Sequence, residues 1–180
     1  MRLSSLHMLH MATSVMFLAL TAFVAQAATP LRIAFVDTGN TGRSMTSAAL
    51  AQKWAVDNKV NVAVISRAVN LNPYNIAPEP DFVQLLSAQG LDVSLHRAAA
   101  FDKGVVTFSD FIFVMTEAHR DRVLSDYPEA RGKVFLMAEY ATGSSVEVLD
   151  AYGQPPEFYA KVFAQLNQLV PLIMEKLPRK

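Results

Sequence analysis

No cysteine occurs anywhere in the 180 residues of this chain. That absence excludes disulfides, thiol nucleophiles and cysteine-held metals together. Histidine is nearly as scarce: of four, His7 and His10 fall in the first ten residues. His96 and His119 alone give little basis for a histidine-rich metal site or a histidine phosphatase. A surplus of one charge is missing too, since 16 Lys and Arg balance 16 Asp and Glu. There is then no reason to expect nucleic acid or an acidic membrane surface as partner. Internal repeats, low-complexity tracts and an obvious linker are all absent. The apolar run Met11–Val24 spans about 14 residues, short of the roughly 20 that a membrane-spanning helix needs.

That run follows Arg2 and precedes the small-x-small pattern Ala25-Gln26-Ala27. Together they have the three-part layout of a secretory signal peptide. The expectation is a signal peptide over 1–27, cleavage after Ala27 and export to the periplasm or beyond, with no stable membrane span afterwards. An uncleaved anchor is the alternative. Residues 28–180 are then enough for one domain with one core, and because only Arg2 is lost, their charge balance is one negative.

Leu31–Val36 is a short apolar run rich in branched residues and ending at a turn, as a buried strand does. Ser44–Asn58 carries the helix formers Ala48, Ala49, Leu50 and Ala51, with Ser44 suited to the N-cap or first turn. Strands are expected at Asn61–Ser66, Asp110–Met115 and Lys133–Met137. Helices are expected at Asp81–Gln89, stopped by Gly90, at Ala118–Ser125 and at Glu157–Leu177, the last bent at Pro171. Asn70–Pro80 reads as a proline-punctuated loop and Ala141–Gln154 as a polar one. Strands alternating with helices argue an α/β domain with a mainly parallel sheet. Such sheets bind ligands beyond the carboxyl ends of their strands.

The loop after the first strand reads Asp37-Thr38-Gly39-Asn40-Thr41-Gly42-Arg43-Ser44. Between a strand and a helix it suits an anion: successive N–H groups point inward, the helix start adds partial positive charge, and Arg43 offers a bidentate fork. The plainer alternative is a glycine-rich connection whose arginine pairs with a local carboxylate.

Here the chain resembles the low-molecular-weight protein tyrosine phosphatases, which place C-x-G-N-x-C-R-S after their first strand. Gly39, Asn40, Arg43 and Ser44 match with the same spacing. The likeness continues in order. Pro78-Glu79-Pro80 resembles the family's P-x-D-P, and Gln89–Arg97 its H-G-I-D-x-S-x-H-R. Asp110–Met115 resembles its D-x-I-x-x-M strand, and Asp150-Ala151-Tyr152 its acid loop D-P-[YF]. The resemblance implies a single α/β domain with a four-stranded parallel sheet, order 2-1-3-4, flanked by helices. It implies two-step hydrolysis of a phosphate monoester by a cysteine thiolate, without cofactor or metal. Arg43 would be the phosphate clamp and Asp150 the general acid. Thr38, Gly39, Asn40, Thr41, Gly42 and Ser44 would form the ligand loop, and Tyr152 would wall its entrance.

Four departures stand against that inheritance: Asp37 replaces the nucleophilic cysteine, Gly42 the second loop cysteine, Ala151 the proline after the acid, and Thr116 the aspartate after the third-strand methionine. The first changes the chemistry. A carboxylate is a far poorer nucleophile towards phosphorus than a thiolate, and it repels the substrate. Two unit charges about 4 Å apart at an effective dielectric of about 20 interact by roughly 4 kcal/mol, on the order of a thousandfold in binding. Asp37 could instead fold onto Arg43 or the loop amides and fill the anion site itself. Aspartyl nucleophiles do exist, but such sites recruit a cation, and with Gly39 two residues on, the D-x-D spacing of the Mg²⁺-dependent aspartyl phosphatases is missing. The arsenate reductases of this fold need redox cysteines, which excludes that activity. Export supplies a rationale for losing an oxidisable thiolate. The leading expectation is a pseudophosphatase that holds a phosphorylated or other anionic ligand, or a protein partner, at Asp37–Ser44. The competing one is an active hydrolase using Asp37 as nucleophile or base, and a scaffold with an empty loop is the third.

Overall fold

The computed structural model describes residues 29–179. The signal peptide expected over 1–27 lies outside the described residues. Four parallel strands, β1 (Leu31–Asp37), β2 (Val62–Ala68), β3 (Phe111–Val114) and β4 (Val134–Leu136), form one sheet in the order β2-β1-β3-β4. This is the α/β architecture and strand order expected from the resemblance. Among the described residues six α-helices flank it: α1 (Arg43–Asn58), α2 (Pro80–Ser87), α3 (Lys103–Phe108), α4 (Glu117–Asp126), α5 (Met137–Thr142) and α6 (Pro156–Lys176).

The central strand shows why the apolar run Leu31–Val36 is continuous rather than alternating. Leu31, Ile33 and Phe35 enter the core formed with Met45, Leu50, Phe82 and the α6 residues Leu166 and Ile173. Ala34 and Val36 point the other way, into a second core with Val105, Val106 and Val123. A sheet covered on both faces needs apolar side chains at both parities of the strand. Phe111, Phe113, Phe135 and Tyr140 pack ring against ring over β3 and β4, with centroids 5.0–6.1 Å apart.

Several boundaries differ from the sequence reading. α3 and α5 are helices where none is expected. α3 contains Gly104, Val105, Val106 and Thr107, poor helix formers, and is held by the Asp102 carboxylate, which caps it by accepting from Val105 N at 3.0 Å, and by burial of Val105 and Val106 in the second core. α5 starts directly from β4, so Met137 belongs to a helix and not to a strand. α2 ends at Ser87, three residues short of Gly90, whose φ of 75° turns the chain back. α6 continues across Pro171 without a break. The segment Ala141–Gln154 is less polar in place than in composition. Val148 and Ala151 are fully buried, and Val148 N donates to the Met115 carbonyl at 3.0 Å. That anchor brings the segment across the carboxyl ends of β1 and β3.

Candidate functional site

β1 ends at Asp37 and α1 begins at Arg43, so the loop Thr38–Gly42 must turn the chain within five residues. Asn40 makes the turn with φ 59°, a left-handed conformation that asparagine tolerates. Its side chain holds the turn from both sides. Nδ2 donates to Ser44 Oγ at 2.9 Å and Oδ1 accepts from Ala99 N at 3.0 Å, while its carbonyl accepts from His96 Nε2 at 2.7 Å. The first of these is buried and the other two are partly buried, where an unmade bond costs more than at the surface.

Asp37 decides what the loop can hold. Its carboxylate is almost wholly buried and turns into the loop. Oδ1 accepts from Asn40 N at 2.5 Å and Oδ2 from Ser44 N at 2.8 Å. Gly42, the residue before α1, supplies no side-chain cap, and Asp37 takes that office from six residues upstream of the helix. A carboxylate at a helix start satisfies otherwise unpaired amides and meets the positive end of the dipole. Of the two places sequence reasoning left for this side chain, the amides and Arg43, it takes the amides.

Arg43 faces elsewhere. Its side chain is 4% exposed, with Nη1 donating to the Val148 carbonyl at 3.0 Å and Nη2 to Asp150 Oδ2 at 2.8 Å. Asp150 is half-exposed, and its Oδ1 accepts from Tyr152 N at 3.2 Å. The structure thus brings Asp37, Arg43, Asp150 and an exposed Tyr152 to one cavity of about 270 Å³, together with Thr38, Gly39 and Thr41. Asn40, Gly42 and Ser44 shape its floor from behind rather than line it.

Sequence reasoning missed the other half of this cavity. Asn70, Asn72, Asn75 and Glu79 also line it. Glu79 lies in the segment Pro78-Glu79-Pro80, whose likeness to the family motif was the available signal. It accepts from Thr41 Oγ1 at 2.9 Å, and burial pushes its carboxyl above the ordinary carboxylate range, with Asp150 and Asp37 adding to the push. Gly42 is explained by the same residue. A Cβ there would stand 2.7 Å from Glu79 Oε1 and 2.9 Å from the buried Phe82 ring. His119 backs the loop from α4, its Nε2 2.9 Å from Thr38 Oγ1 and its Nδ1 3.0 Å from Thr116 Oγ1. Burial first, then the Arg43 charge, holds its imidazole below its usual pKa. Thr116, a departure from the family pattern, caps α4 by accepting from His119 N at 3.3 Å.

Among the described residues no group of three or more His, Cys, Asp or Glu side chains is arranged to hold a metal ion. Nor is any described helix long and apolar enough to cross a membrane.

The sequence pattern of the low molecular weight phosphotyrosine protein phosphatases matches residues 32–180. A protein-arginine-phosphatase of Bacillus subtilis is 31% identical over 147 residues, covering 82% of this chain and 97% of that protein. Its counterpart in Geobacillus stearothermophilus is 28% identical over 149 residues, with the same coverage of both chains. Among solved structures, a YwlE arginine phosphatase mutant with a phosphorylated active-site serine superposes with a TM-score of 0.78 at 30% identity, over 82% of this chain and 95% of that one. This chain belongs to the low-molecular-weight phosphotyrosine protein phosphatase family.

Proposed function

We propose that this chain is an exported pseudophosphatase, a family member that binds through the pocket over Asp37–Ser44 and does not run the thiolate reaction. The observation that carries the reading is the Asp37 carboxylate on the amides of Asn40 and Ser44. Both of its oxygens are engaged, and the donors that would receive phosphoryl oxygens already hold an anion. An anionic ligand, the expectation Arg43 raised, would have to displace Asp37 from the amides or Asp150 from the arginine. Export is supported by the layout Arg2, Met11–Val24, Ala25-Gln26-Ala27 and by the lack of any cysteine to protect.

One observation favours the hydrolytic alternative. Asp150 stays half-exposed at the mouth of the cavity, 2.8 Å from Arg43, where an acid for a leaving group would serve. The relatives' names, protein-arginine-phosphatase and low molecular weight protein-tyrosine-phosphatase, say what such a hydrolase would act on. Turnover of p-nitrophenyl phosphate by the purified chain, from acid to mildly alkaline pH and with or without Mg²⁺, separates the two. The pseudophosphatase reading expects no turnover by the native chain. Turnover that disappears in Asp37→Ala would overturn it. Activity confined to Asp37→Cys would show an intact pocket lacking only its nucleophile.

A further inference from the structure

We propose that the outer edge of β2 is a docking site for a segment of another protein, bound as an added strand with acidic side chains on one face. The groove along this edge shares no lining residue with the cavity over Asp37, so its role does not depend on how that cavity is read. β2 stands at one end of the sheet. Its ladder to β1 uses the odd-numbered residues: the Asn61 carbonyl accepts from Leu31 N at 3.2 Å, and Val69 N donates to the Asp37 carbonyl at 2.9 Å. Successive residues of a strand turn their N–H and C=O groups to opposite edges, so Val62, Val64, Ser66 and Ala68 turn theirs outward. Ala68 shows that this edge accepts an extended segment. Its N–H donates to the Ala99 carbonyl at 2.8 Å and its carbonyl accepts from Phe101 N at 2.7 Å, in parallel pairing. The outward groups of Val62 and Val64 have no hydrogen-bond partner among the described residues. Proteins shield such an edge with lysine, proline, a bulge or a very short strand. β4, at the other end of the sheet, is three residues long. β2 pairs without a bulge over seven residues, and its stretch Val62–Ser66 has neither lysine nor proline.

The charge of the groove selects its occupant. The groove has a volume of about 430 Å³, and Met45, Ala49 and Val93 are among its apolar lining. A strand laid along it would alternate its side chains, one set on those apolar groups and the other towards the polar rim. Arg67 and Arg97 both belong to that lining. Arg67 donates to the Ser66 carbonyl at 2.7 Å, and Arg97 to the carbonyls of Ser94 and His96 at 3.0 and 2.6 Å. Neither makes an ion pair among the described residues. Asp92, the acidic residue of the lining, is held by Ser94 N at 2.9 Å. Two guanidinium groups resting on neutral carbonyls leave the groove with a positive excess, and carboxylates of an incoming strand complement it.

The test is fluorescence anisotropy of the purified chain with a fluorescein-labelled Val-Glu-Val-Glu-Val-Glu peptide and its Val-Lys counterpart. Two N-methylated forms of the acidic peptide complete the set, one methylated at the valine amides and the other at the glutamate amides. The acidic peptide should bind saturably and the lysine peptide at least about tenfold more weakly, the loss expected for one charge-assisted hydrogen bond. Arg67→Glu should remove that preference. Only alternate amides of an added strand enter the ladder, so one methylated form should lose at least about tenfold in affinity and the other should keep it. In hydrogen exchange read residue by residue, the Val64 amide should exchange rapidly in the free chain and become protected by the acidic peptide. No saturable binding of the acidic peptide would overturn the proposal, as would equal binding of the glutamate and lysine peptides. So would equal binding of the two methylated forms, or a Val64 amide left unprotected at saturation. Protection of Val64 without peptide, growing with the concentration of the chain, would give the edge to a second copy and overturn it too.

Discussion

Replacing Asp37 by alanine should convert a self-occupied loop into an empty anion cradle. The perturbation removes two buried hydrogen bonds to a carboxylate, at 2.5 and 2.8 Å. Bonds to charged groups contribute about 1.5–3 kcal/mol each. Burying the charge itself is costly, and alanine relieves that part. A net loss of about 3 kcal/mol is expected, and at about 2–4 °C per kcal/mol for a domain of this size the midpoint should fall by about 6–12 °C. The informative half of the experiment is the rescue. With Asp37 gone, the amides of Asn40 and Ser44 face an open space beside Arg43, and sulfate or phosphate can occupy it. At a free anion concentration about 100 times the dissociation constant, binding restores about 2.7 kcal/mol. Thermal unfolding of both proteins in an anion-poor buffer, with increasing sulfate at constant ionic strength, measures the two effects together. The native chain should be insensitive and the variant should recover most of its loss. Equal stabilisation of both proteins by sulfate would show that Asp37 does not occupy the site, and an undiminished midpoint in Asp37→Ala would show that it does not cap α1.

Gly42→Ala should destabilise by about 1–3 kcal/mol, the usual cost of overpacking, since the new methyl meets Glu79 and the buried Phe82 ring; denaturant titration checks it, and a neutral result would mean this corner is loosely packed. Glu79 has its carboxyl raised by burial, so the folded state holds its proton more tightly than the unfolded one. Its contribution to stability should therefore decline as pH rises from about 4.5, and Glu79→Gln should flatten that decline in unfolding measured across pH. His119 has the opposite sign. Its pKa is lowered, so stability should fall as pH drops through 6.5 and below, and His119→Gln should remove that portion of the acid loss. An unchanged acid limb in that variant would place the titration elsewhere.

How much of this was legible in the sequence depends on the range of the interactions involved. The continuous apolar run at Leu31–Val36 announces a strand covered on both faces, and α1 follows from local propensity, so the strand–loop–helix unit could be read directly. α3 could not, because Gly104 and Val105–Thr107 argue against a helix, and the Asp102 cap together with burial of Val105 and Val106 in the second core holds it. The segment Ala141–Gln154 looks polar because its anchors are isolated: Val148 and Ala151 sit at full burial among residues that face solvent. In the site, Asp37 was visible as a carboxylate in place of a thiol, and capture by the loop amides was one of two destinations open to it. The choice became fixed only when Asp150 and the Val148 carbonyl, over a hundred residues away in the chain, took Arg43. Glu79 had a signal in the Pro78-Glu79-Pro80 likeness, but Asn70, Asn72 and Asn75 had none, because they join the site only by lining the same cavity.

A crystal structure grown in sulfate tests most directly the claim that Asp37 fills the family's anion site. The expected result is the Asp37 carboxylate on the amides of Asn40 and Ser44, Arg43 on Asp150, and no sulfate within the loop. A sulfate bound to those amides and to Arg43, with Asp37 turned away, would contradict it.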